Sequence, residues 1–358
     1  MSSRSEKNRH TLMCNGFERA MESGQCQTHV VWYAFGSRAV RVRIVGNRLT
    51  RCLASPLCHL LLEPSHHGTP QLRIDLWDQE EVGVEPGLDV KPDPLGVSSS
   101  FFMSEDERYV TSVLQHSIAS FDRQEQRIVG AACDAARLSL YEWGRPLHIP
   151  LTFWYKDQGL PLVHAALVSH GDLGILLAGP SEAGKTTASL SCLKAGFRYL
   201  GDDLAALQVD PEGVWGHSIY GSAFVDDGTL LRTSIVRDQA ITGKYGFEDK
   251  KLLFISQLPP SRLVPKARIV AVALLSLGDK RQTNALPATK SDSLLMMARS
   301  SLQSGVLSPG RLGFETLGEL CQRVPSFRVE LGTDPQDIPG CLRDLAHGGL
   351  APTTEGES

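Results

Sequence analysis

Apolar and polar residues alternate along two segments in the first third of the chain. AVRVRIV at 39–45 and QLRIDLW at 71–77 both place an apolar residue at every second position. A period of two is typical of a β-strand with one buried face. We therefore predict a β-rich N-terminal domain over residues 28–150.

Longer apolar runs follow in the second half of the chain. LVHAALVSHGDLGILLAG at 162–179 consists of two apolar runs joined by a polar turn, which predicts a β-hairpin. TTASLSCLKAG at 186–196 favours a helix that ends at Gly196, and ARIVAVALLSLG at 267–278 is suited to a central strand. These elements predict a second domain over residues 151–346.

A further helix is predicted from the spacing of apolar residues in SDSLLMMARSSLQ at 291–303. Leu294, Leu295, Ala298 and Leu302 fall on one face of a helix, which we expect to be buried. The two ends of the chain, residues 1–27 and 347–358, are polar and lack a clear period, and we expect both to be disordered.

Composition narrows the class of protein. The 358 residues are 42% hydrophobic and 21% charged, with a formal net charge of −4, which gives no support for binding to nucleic acid or to an anionic membrane surface. No run of 18 apolar residues and no secretory signal is found, so we expect a cytoplasmic protein. The eight cysteines form no CxxC pair, and we expect free thiols.

The motif with the clearest chemistry follows the second strand of the hairpin. GPSEAGKT at 179–186 fits G-x-x-x-x-G-K-[ST], with an apolar strand before it and a helix-forming run after it. Glycine lets the backbone N–H groups surround phosphate oxygens, the lysine reaches the β- and γ-phosphates, and the threonine hydroxyl can bind Mg²⁺. A glycine-rich turn without a ligand is the alternative. The predicted nucleotide-binding residues are Gly179, Pro180, Ser181, Glu182, Ala183, Gly184, Lys185, Thr186 and Thr187.

Two adjacent acids interrupt an apolar segment shortly after this motif. FRYLGDDLAALQV places Asp202 and Asp203 at the end of a predicted strand. Carboxylates at such a position are costly unless a cation lies near them, and Mg²⁺ beside a nucleotide would be one. One acid would then hold the metal while the other accepts the proton of an incoming hydroxyl. Two solvated acids in a turn are the alternative.

VHAALV, LLAGPSEAGKTT and LKAGFRYLGDDLAAL, in this order and at these intervals, resemble the catalytic domain of the HPr kinase/phosphorylase family, and more closely its peptide-modifying, lasso-peptide-type relatives. The resemblance covers residues 160–210. It implies an α/β fold in which a mixed sheet is flanked by helices, as in phosphoenolpyruvate carboxykinase, with ATP and Mg²⁺ as cofactors.

The resemblance also implies roles for individual residues. Asp202 would be the base, Asp203 would bind the metal together with Thr186, and His164 would lie near the transferred phosphate. The predicted catalytic residues are thus Asp202, Lys185 and His164. From the residues alone, His164 could equally be a hydrogen-bonded histidine of the core. The glutamate-arginine-glycine signature of the bifunctional enzymes is absent from GVWGHSIYGSAFVDDGTLLR. Lys251 is a further candidate for neutralising phosphate charge, with an exposed lysine as its alternative.

Three functions remain open from the sequence. The first is an ATP- and Mg²⁺-dependent kinase that phosphorylates a serine of a peptide or small protein. The second is a kinase of the same fold that acts on the hydroxyl of a small metabolite. The third is a non-catalytic nucleotide-binding module that associates with a partner. Homo-oligomers are common among the related kinases, so we also expect self-association.

Overall fold

The computed structural model describes residues 3–63, 68–88, 100–235, 239–243, 250–258, 262–303 and 311–349. The described chain divides into two compact units. Unit 1 contains the described residues of Met1–Asp157 and Thr242–Asp249, and unit 2 contains those of Gln158–Ile241 and Lys250–Ser358. Both units combine helices with β-sheet, so the predicted α/β class is confirmed.

Unit 1 is built on a seven-stranded sheet with the order β1-β2-β3-β7-β6-β5-β4, in which β3 pairs in parallel with β2 and with β7. The alternating segments of the sequence form β2 and β3. The elements are α1 (Ser3–Glu22), β1 (Thr28–Phe35), β2 (Arg38–Val45), α2 (Asn47–Leu57), β3 (Leu72–Asp78), α3 (Gln79–Val82), β4 (Ser100–Met103), β5 (Tyr109–Val113), β6 (Ser117–Asp122), β7 (Arg127–Ala132), α4 (Leu140–Gly144) and α5 (His148–Asp157).

The expectation that residues 1–27 are disordered is wrong for most of this segment, because Ser3–Glu22 forms helix α1. The helix buries Met13, Phe17 and Ala20 in one hydrophobic cluster with Trp77 of β3. A polar extension of the same face is also buried, since His10 is only 7% exposed and its Nδ1 lies 3.0 Å from Ser120 Oγ. Buried polar residues of this kind conceal the helical period in the sequence.

The predicted domain boundary at residue 150 falls inside helix α5. Trp154 and Tyr155 of this helix are fully buried, and their rings pack against Phe35 of β1. Because this packing ties the whole helix to the first sheet, unit 1 extends to Asp157.

Unit 2 contains a nine-stranded sheet and a separate two-stranded sheet, β14-β15. Its elements are β8 (Leu162–Val163), β9 (Ala165–His170), β10 (Leu173–Ala178), α6 (Lys185–Lys194), β11 (Arg198–Gly201), β12 (Ala205–Asp210), β13 (Gly213–His217), β14 (Ser222–Val225), α7 (Asp227–Thr233), β15 (Lys251–Phe254), β16 (Lys266–Leu277), β17 (Asn284–Pro287), α8 (Lys290–Gln303), α9 (Arg311–Arg323), β18 (Ser326–Leu331) and α10 (Ile338–Ala346).

The large sheet has the order β11-β9-β10-β16-β13-β12-β8, and β18 adds to β16 with β17 beside it. The predicted hairpin is the antiparallel pair β9 and β10, and the predicted central strand is β16, which lies parallel to β10. Strands β8 and β9 are separated only by His164 in the sequence, but they pair with different strands. β9 pairs with β10, whereas β8 pairs with β12 at the other end of the strand order.

Helices cover both faces of this sheet. Ile175 and Leu177 of β10 belong to a cluster that includes Ala188 of α6 and Leu342 of α10. The alternate residue Leu176 points to the opposite face, whose cluster includes residues of α8 and α9. The strand that precedes the glycine-rich motif is therefore buried on both faces.

The C-terminal helix α10 ends at Ala346. Of the tail expected to be disordered over residues 347–358, residues 350–358 lie outside the described residues. None of the described helices has the length and apolar character that crossing a membrane requires.

Candidate active site

The glycine-rich motif joins the central strand β10 to helix α6. The strand ends at Ala178, residues 179–184 form the loop, and the helix begins at Lys185 with Gly184 as its N-cap. The strand and the helix predicted on either side of the motif are thus both present. The loop lies at the N-terminus of α6, where unpaired backbone N–H groups and the helix dipole favour an anion.

Two glycines of the loop are required for steric reasons. A Cβ atom on Gly179 would lie 2.9 Å from Ala183 Cβ and 3.1 Å from Leu275 O. Gly184 has a φ of +91°, and a Cβ atom there would lie 2.6 Å from Leu331 Cδ1. Side chains at these positions would force the loop away from its observed path.

Lys185 folds back over the start of the loop. Its Nζ donates to Gly179 O at 2.9 Å and to Pro180 O at 2.8 Å. The side chain is buried, and this burial lowers the pKa of the ammonium, although the charges of Asp203 and Asp202 oppose the shift. Because the ammonium group of Lys185 is desolvated and contacts two carbonyl oxygens by hydrogen bonds, a bound anion such as phosphate would stabilise its charge.

The two acids follow strand β11, and one of them touches the loop helix directly. Thr186 Oγ1 donates to Asp202 Oδ2 at 2.9 Å, and Ser189 Oγ lies 3.3 Å from Asp202 Oδ1. Asp202 is only 3% exposed, whereas Asp203 is half-buried. The charges of both carboxylates raise the pKa of Lys185, so both acids lie near enough to this lysine to interact with its charge.

This group of residues fits a magnesium ion. The Thr186 hydroxyl and the Asp202 carboxylate are oxygen donors of the type that Mg²⁺ prefers. Within the described residues no group of three or more histidine, cysteine, aspartate or glutamate residues is placed to hold a metal. Mg²⁺ commonly takes one or two protein oxygens and completes its shell with water and phosphate.

His164 lies between the loop strand and the segment with the two acids. The residue after it, Ala165, pairs with Ala178 at the end of β10, and the residue before it, Val163, pairs with Ala205 at the start of β12. The backbone N–H of His164 donates to Ser301 Oγ of α8 at 3.0 Å. The strand register thus brings this half-buried histidine to the same end of the sheet as the loop.

Several residues at this site were not predicted from the sequence. Ser300 Oγ of α8 donates to Gly179 O at 2.9 Å, and Thr229 Oγ1 of α7 lies 3.5 Å from Thr187 Oγ1. Ser189 could have been found, because it lies three residues after Thr186 and therefore on the same helical face. The contacts made by α7 and α8 have no signal in the sequence.

The candidate lysine at the start of β15 has an acidic partner. Lys251 forms an ion pair with Asp227 of α7. Its neighbour Lys250 is the one whose charge lowers the pKa of Lys185. Lys250 therefore also contributes positive charge near Lys185.

Comparison with known proteins gives partial matches. No protein family model matches the chain. An HPr kinase/phosphorylase of Streptococcus agalactiae is 28% identical over 115 residues, which cover 25% of this chain and 37% of the relative. An HPr kinase/phosphorylase of Streptococcus thermophilus is 31% identical over 100 residues, which cover 24% of this chain and 32% of the relative. The matched segment is HPr-kinase-like.

The resemblance predicted from the sequence is therefore confirmed for part of the chain. The chain spans about a third of the length of the curated relatives it matches. Among solved structures, the Hpr(Ser) kinase/phosphatase from Coxiella burnetii matches 52% of this chain and 95% of its own chain, with 13% identity and a TM-score of 0.28.

Proposed function

We propose that this protein is a kinase that transfers the γ-phosphoryl group of ATP to a serine hydroxyl of a peptide or small protein. One observation carries the proposal: Lys185, Thr186 and the buried Asp202 meet at the N-terminus of the helix that follows the glycine-rich loop. The relatives named HPr kinase/phosphorylase support a kinase, and the resemblance of the three sequence motifs supports serine as the acceptor.

The triphosphate would bind over the loop. Backbone N–H groups of residues 181–186 and the dipole of α6 would surround the phosphate oxygens. Lys185 would exchange carbonyl partners for phosphate oxygens, and Lys250 would add positive charge nearby. Most of the catalytic effect would come from positioning and from neutralising charge on the transferred group.

Thr186 and Asp202 are the residues that would hold Mg²⁺. A bound Mg²⁺ neutralises charge on the phosphate oxygens during transfer. The assignment differs from the sequence-based expectation, which gave the metal to Asp203 and the proton to Asp202. Both oxygens of Asp202 already accept hydrogen bonds from α6, which leaves this carboxylate badly placed to receive a proton from an acceptor.

Asp203 would then be the base. It is more exposed than Asp202 and close enough to Lys185 to raise the pKa of that lysine. In the step we propose, the serine oxygen forms a bond to the γ-phosphorus while the bond from that phosphorus to the β–γ bridging oxygen breaks. ADP leaves, and the proton of the serine hydroxyl goes to Asp203. His164, at the same end of the sheet, would contact the transferred group.

The direct test uses the full chain, MgATP labelled at the γ-phosphate and pools of synthetic peptides that each contain one serine. We expect label in phosphoserine and a loss of about 100-fold or more in the Lys185→Ala variant. Lys194→Ala is a matched control, because this lysine lies at the other end of α6 and its Nζ donates to Thr233 O.

The alternatives give other results. Label in small hydroxyl compounds but in no peptide would favour the metabolite kinase. Tight nucleotide binding without transfer or hydrolysis would favour the non-catalytic module. Equal activity of Lys185→Ala and the wild type would contradict the proposed site.

A further inference from the structure

A groove of about 640 Å³ lies beside the glycine-rich loop, within unit 2. Helix α8 forms one wall and the C-terminal end of β16 forms the other. Pro180 of the loop also lines the groove. Of the residues that line the groove, only Pro180 also belongs to the glycine-rich loop.

The groove opens toward the end of the triphosphate from which the phosphoryl group would leave. The loop lysine of this motif reaches the β- and γ-phosphates. Here Lys185 Nζ lies against the carbonyl oxygens of Gly179 and Pro180, which marks the start of the loop as the terminal-phosphate side. Since Pro180 lines the groove, a molecule bound there would approach the γ-phosphate rather than the nucleoside.

Helix α8 is held against the loop, so the wall that it forms has a defined position. Ser300 Oγ donates to Gly179 O at 2.9 Å, and the next residue, Ser301, accepts from the backbone N–H of His164 at 3.0 Å. Two neighbouring residues of one helical turn thus contact both the loop and His164, the residue between β8 and β9. Arg299 immediately precedes them on the same turn.

Part of the groove wall is apolar and open to solvent. Leu295 was predicted to face the core but is 61% exposed, while Met297 takes the buried position. Leu295 and Met296 line the groove on α8, and Leu274 lines it on β16. Exposed apolar side chains that line a concave surface are typical of a binding site.

The groove also has an excess of positive charge. Arg328 donates to Asp292 Oδ2 at 2.7 Å, and Thr289 Oγ1 donates to the same carboxylate at 2.8 Å. The charges of Arg328 and Asp292 therefore compensate each other. Arg299 lines the groove as well, and no ion pair of its guanidinium is found within the part of the chain that the structure describes. A guanidinium forms bidentate hydrogen bonds with carboxylate and with phosphate oxygens, and the carboxylate is the one of these two groups that an unmodified peptide carries.

From these observations we propose that the groove binds the acceptor peptide, with an acidic residue of that peptide at Arg299 and an apolar residue against Leu295 and Met296. The inference rests on the proposed kinase function and defines its substrate class: a serine whose flanking sequence contains both an acid and an apolar side chain. The net charge of the groove, its apolar wall and its place at the terminal-phosphate end all favour such a peptide over a nucleobase.

The experiment measures which peptides are selected. Full-length wild type, Arg299→Glu and Leu295→Ala are each incubated with labelled MgATP and peptide pools that have one fixed serine and one other fixed residue per pool. We expect the wild type to prefer acidic pools at one position, and kcat/KM for a defined acidic peptide to fall roughly five- to tenfold in Arg299→Glu, mainly through KM. We also expect the preference of Arg299→Glu to shift toward lysine and arginine, and Leu295→Ala to lose the preference for an apolar residue.

Arg343→Glu is the matched control, because it reverses an exposed arginine on α10, which lines no part of the groove. It should select the same peptides as the wild type. MgATP affinity is measured for all four proteins, and we expect it to be equal.

Each other outcome overturns the inference. Identical peptide selection by the wild type and Arg299→Glu would show that the groove does not bind the acceptor peptide. It would not contradict the proposed kinase function. A large loss of MgATP affinity in Arg299→Glu with unchanged peptide selection would assign the groove to the nucleotide instead. A wild-type protein that binds MgATP and labels none of the peptide pools contradicts the peptide acceptor, and the inference falls with the proposed function.

Discussion

At the scale of single residues, the two adjacent aspartates have different surroundings. Asp202 is buried against Thr186 and Ser189, whereas Asp203 is half-buried and contributes its charge to the same site. Successive residues at a strand end project in different directions, so one can face the helix while the next faces an incoming substrate.

This difference gives a prediction for the two asparagine variants. In Asp202→Asn, we expect weaker binding of Mg²⁺ in the presence of nucleotide, because the amide removes a negative charge beside Thr186. In Asp203→Asn, we expect nearly normal MgATP affinity but a loss of about 100-fold or more in kcat, because the proton acceptor is gone. Activity as a function of Mg²⁺ concentration separates the two.

Higher Mg²⁺ should restore part of the activity of Asp202→Asn and none of that of Asp203→Asn. The opposite pattern would return the two residues to the roles implied by the family resemblance. Equal and complete loss of activity at every Mg²⁺ concentration in both variants would contradict any division of labour between them.

The position of the loop and its helix could be predicted from the sequence, while the acid that contacts Thr186 could not. Gly179, Gly184, Lys185 and Thr186 have fixed spacing because a single loop has to satisfy one phosphate geometry. Which of two neighbouring acids faces Thr186 depends on the exact position at which strand β11 ends. No pattern of residue types records that position.

At the scale of elements, helix α1 shows how buried polar residues can obscure the helical repeat of apolar positions in a sequence. Glu6 and Arg9 form an ion pair inside the fold, and His10 lies beside Ser120. An apolar stripe is therefore visible only in the second half of the helix, at Met13 and Phe17. Helix α8 shows the reverse case, since its most apolar stripe is partly exposed.

The buried histidine of α1 gives a prediction for the pH dependence of stability. Burial lowers the pKa of His10 from 6.5 to about 4, and Asp122 only partly counters this effect. Between these two values the unfolded chain binds more protons than the folded chain, so the free energy of unfolding falls as the pH is lowered. We expect His10 to account for about 2 kcal/mol of the stability lost between pH 7 and pH 5.

Urea unfolding of the wild type and of His10→Gln at these two pH values measures that contribution. The glutamine variant should lose less stability on acidification, because glutamine does not titrate. His29→Gln is the control, since this residue lies on β1 at the surface and hydrogen bonds to Asn47. Parallel losses in all three proteins would show that His10 is not the group responsible.

At the scale of the whole molecule, local sequence patterns predicted where the strands lie better than which strands pair with one another. The strands β2, β3, β9, β10 and β16 follow directly from alternation or from apolar runs. The pairing of β8 with β12, which brings His164 near the acids, joins residues more than 40 positions apart. Such pairing depends on the packing of the complete sheet, which short-range periodicity does not encode.

A nucleotide bound at the loop should stabilise the folded protein, and we expect this stabilisation to require Gly184. A ligand that binds only the folded state stabilises it by about 2.7 kcal/mol at a concentration 100 times its dissociation constant. We expect MgADP to raise the Tm of the wild type accordingly. In Gly184→Ala the methyl group meets Leu331 and the residue has to keep a φ of +91°, so we expect a lower Tm without ligand and little or no rise with MgADP.

Gly318→Ala is the matched control, because this glycine lies within α9 with no atom within 4 Å of the added Cβ, and alanine there should raise the Tm slightly. A full MgADP response in Gly184→Ala would show that the nucleotide binds away from the loop, and the proposed site would then be wrong.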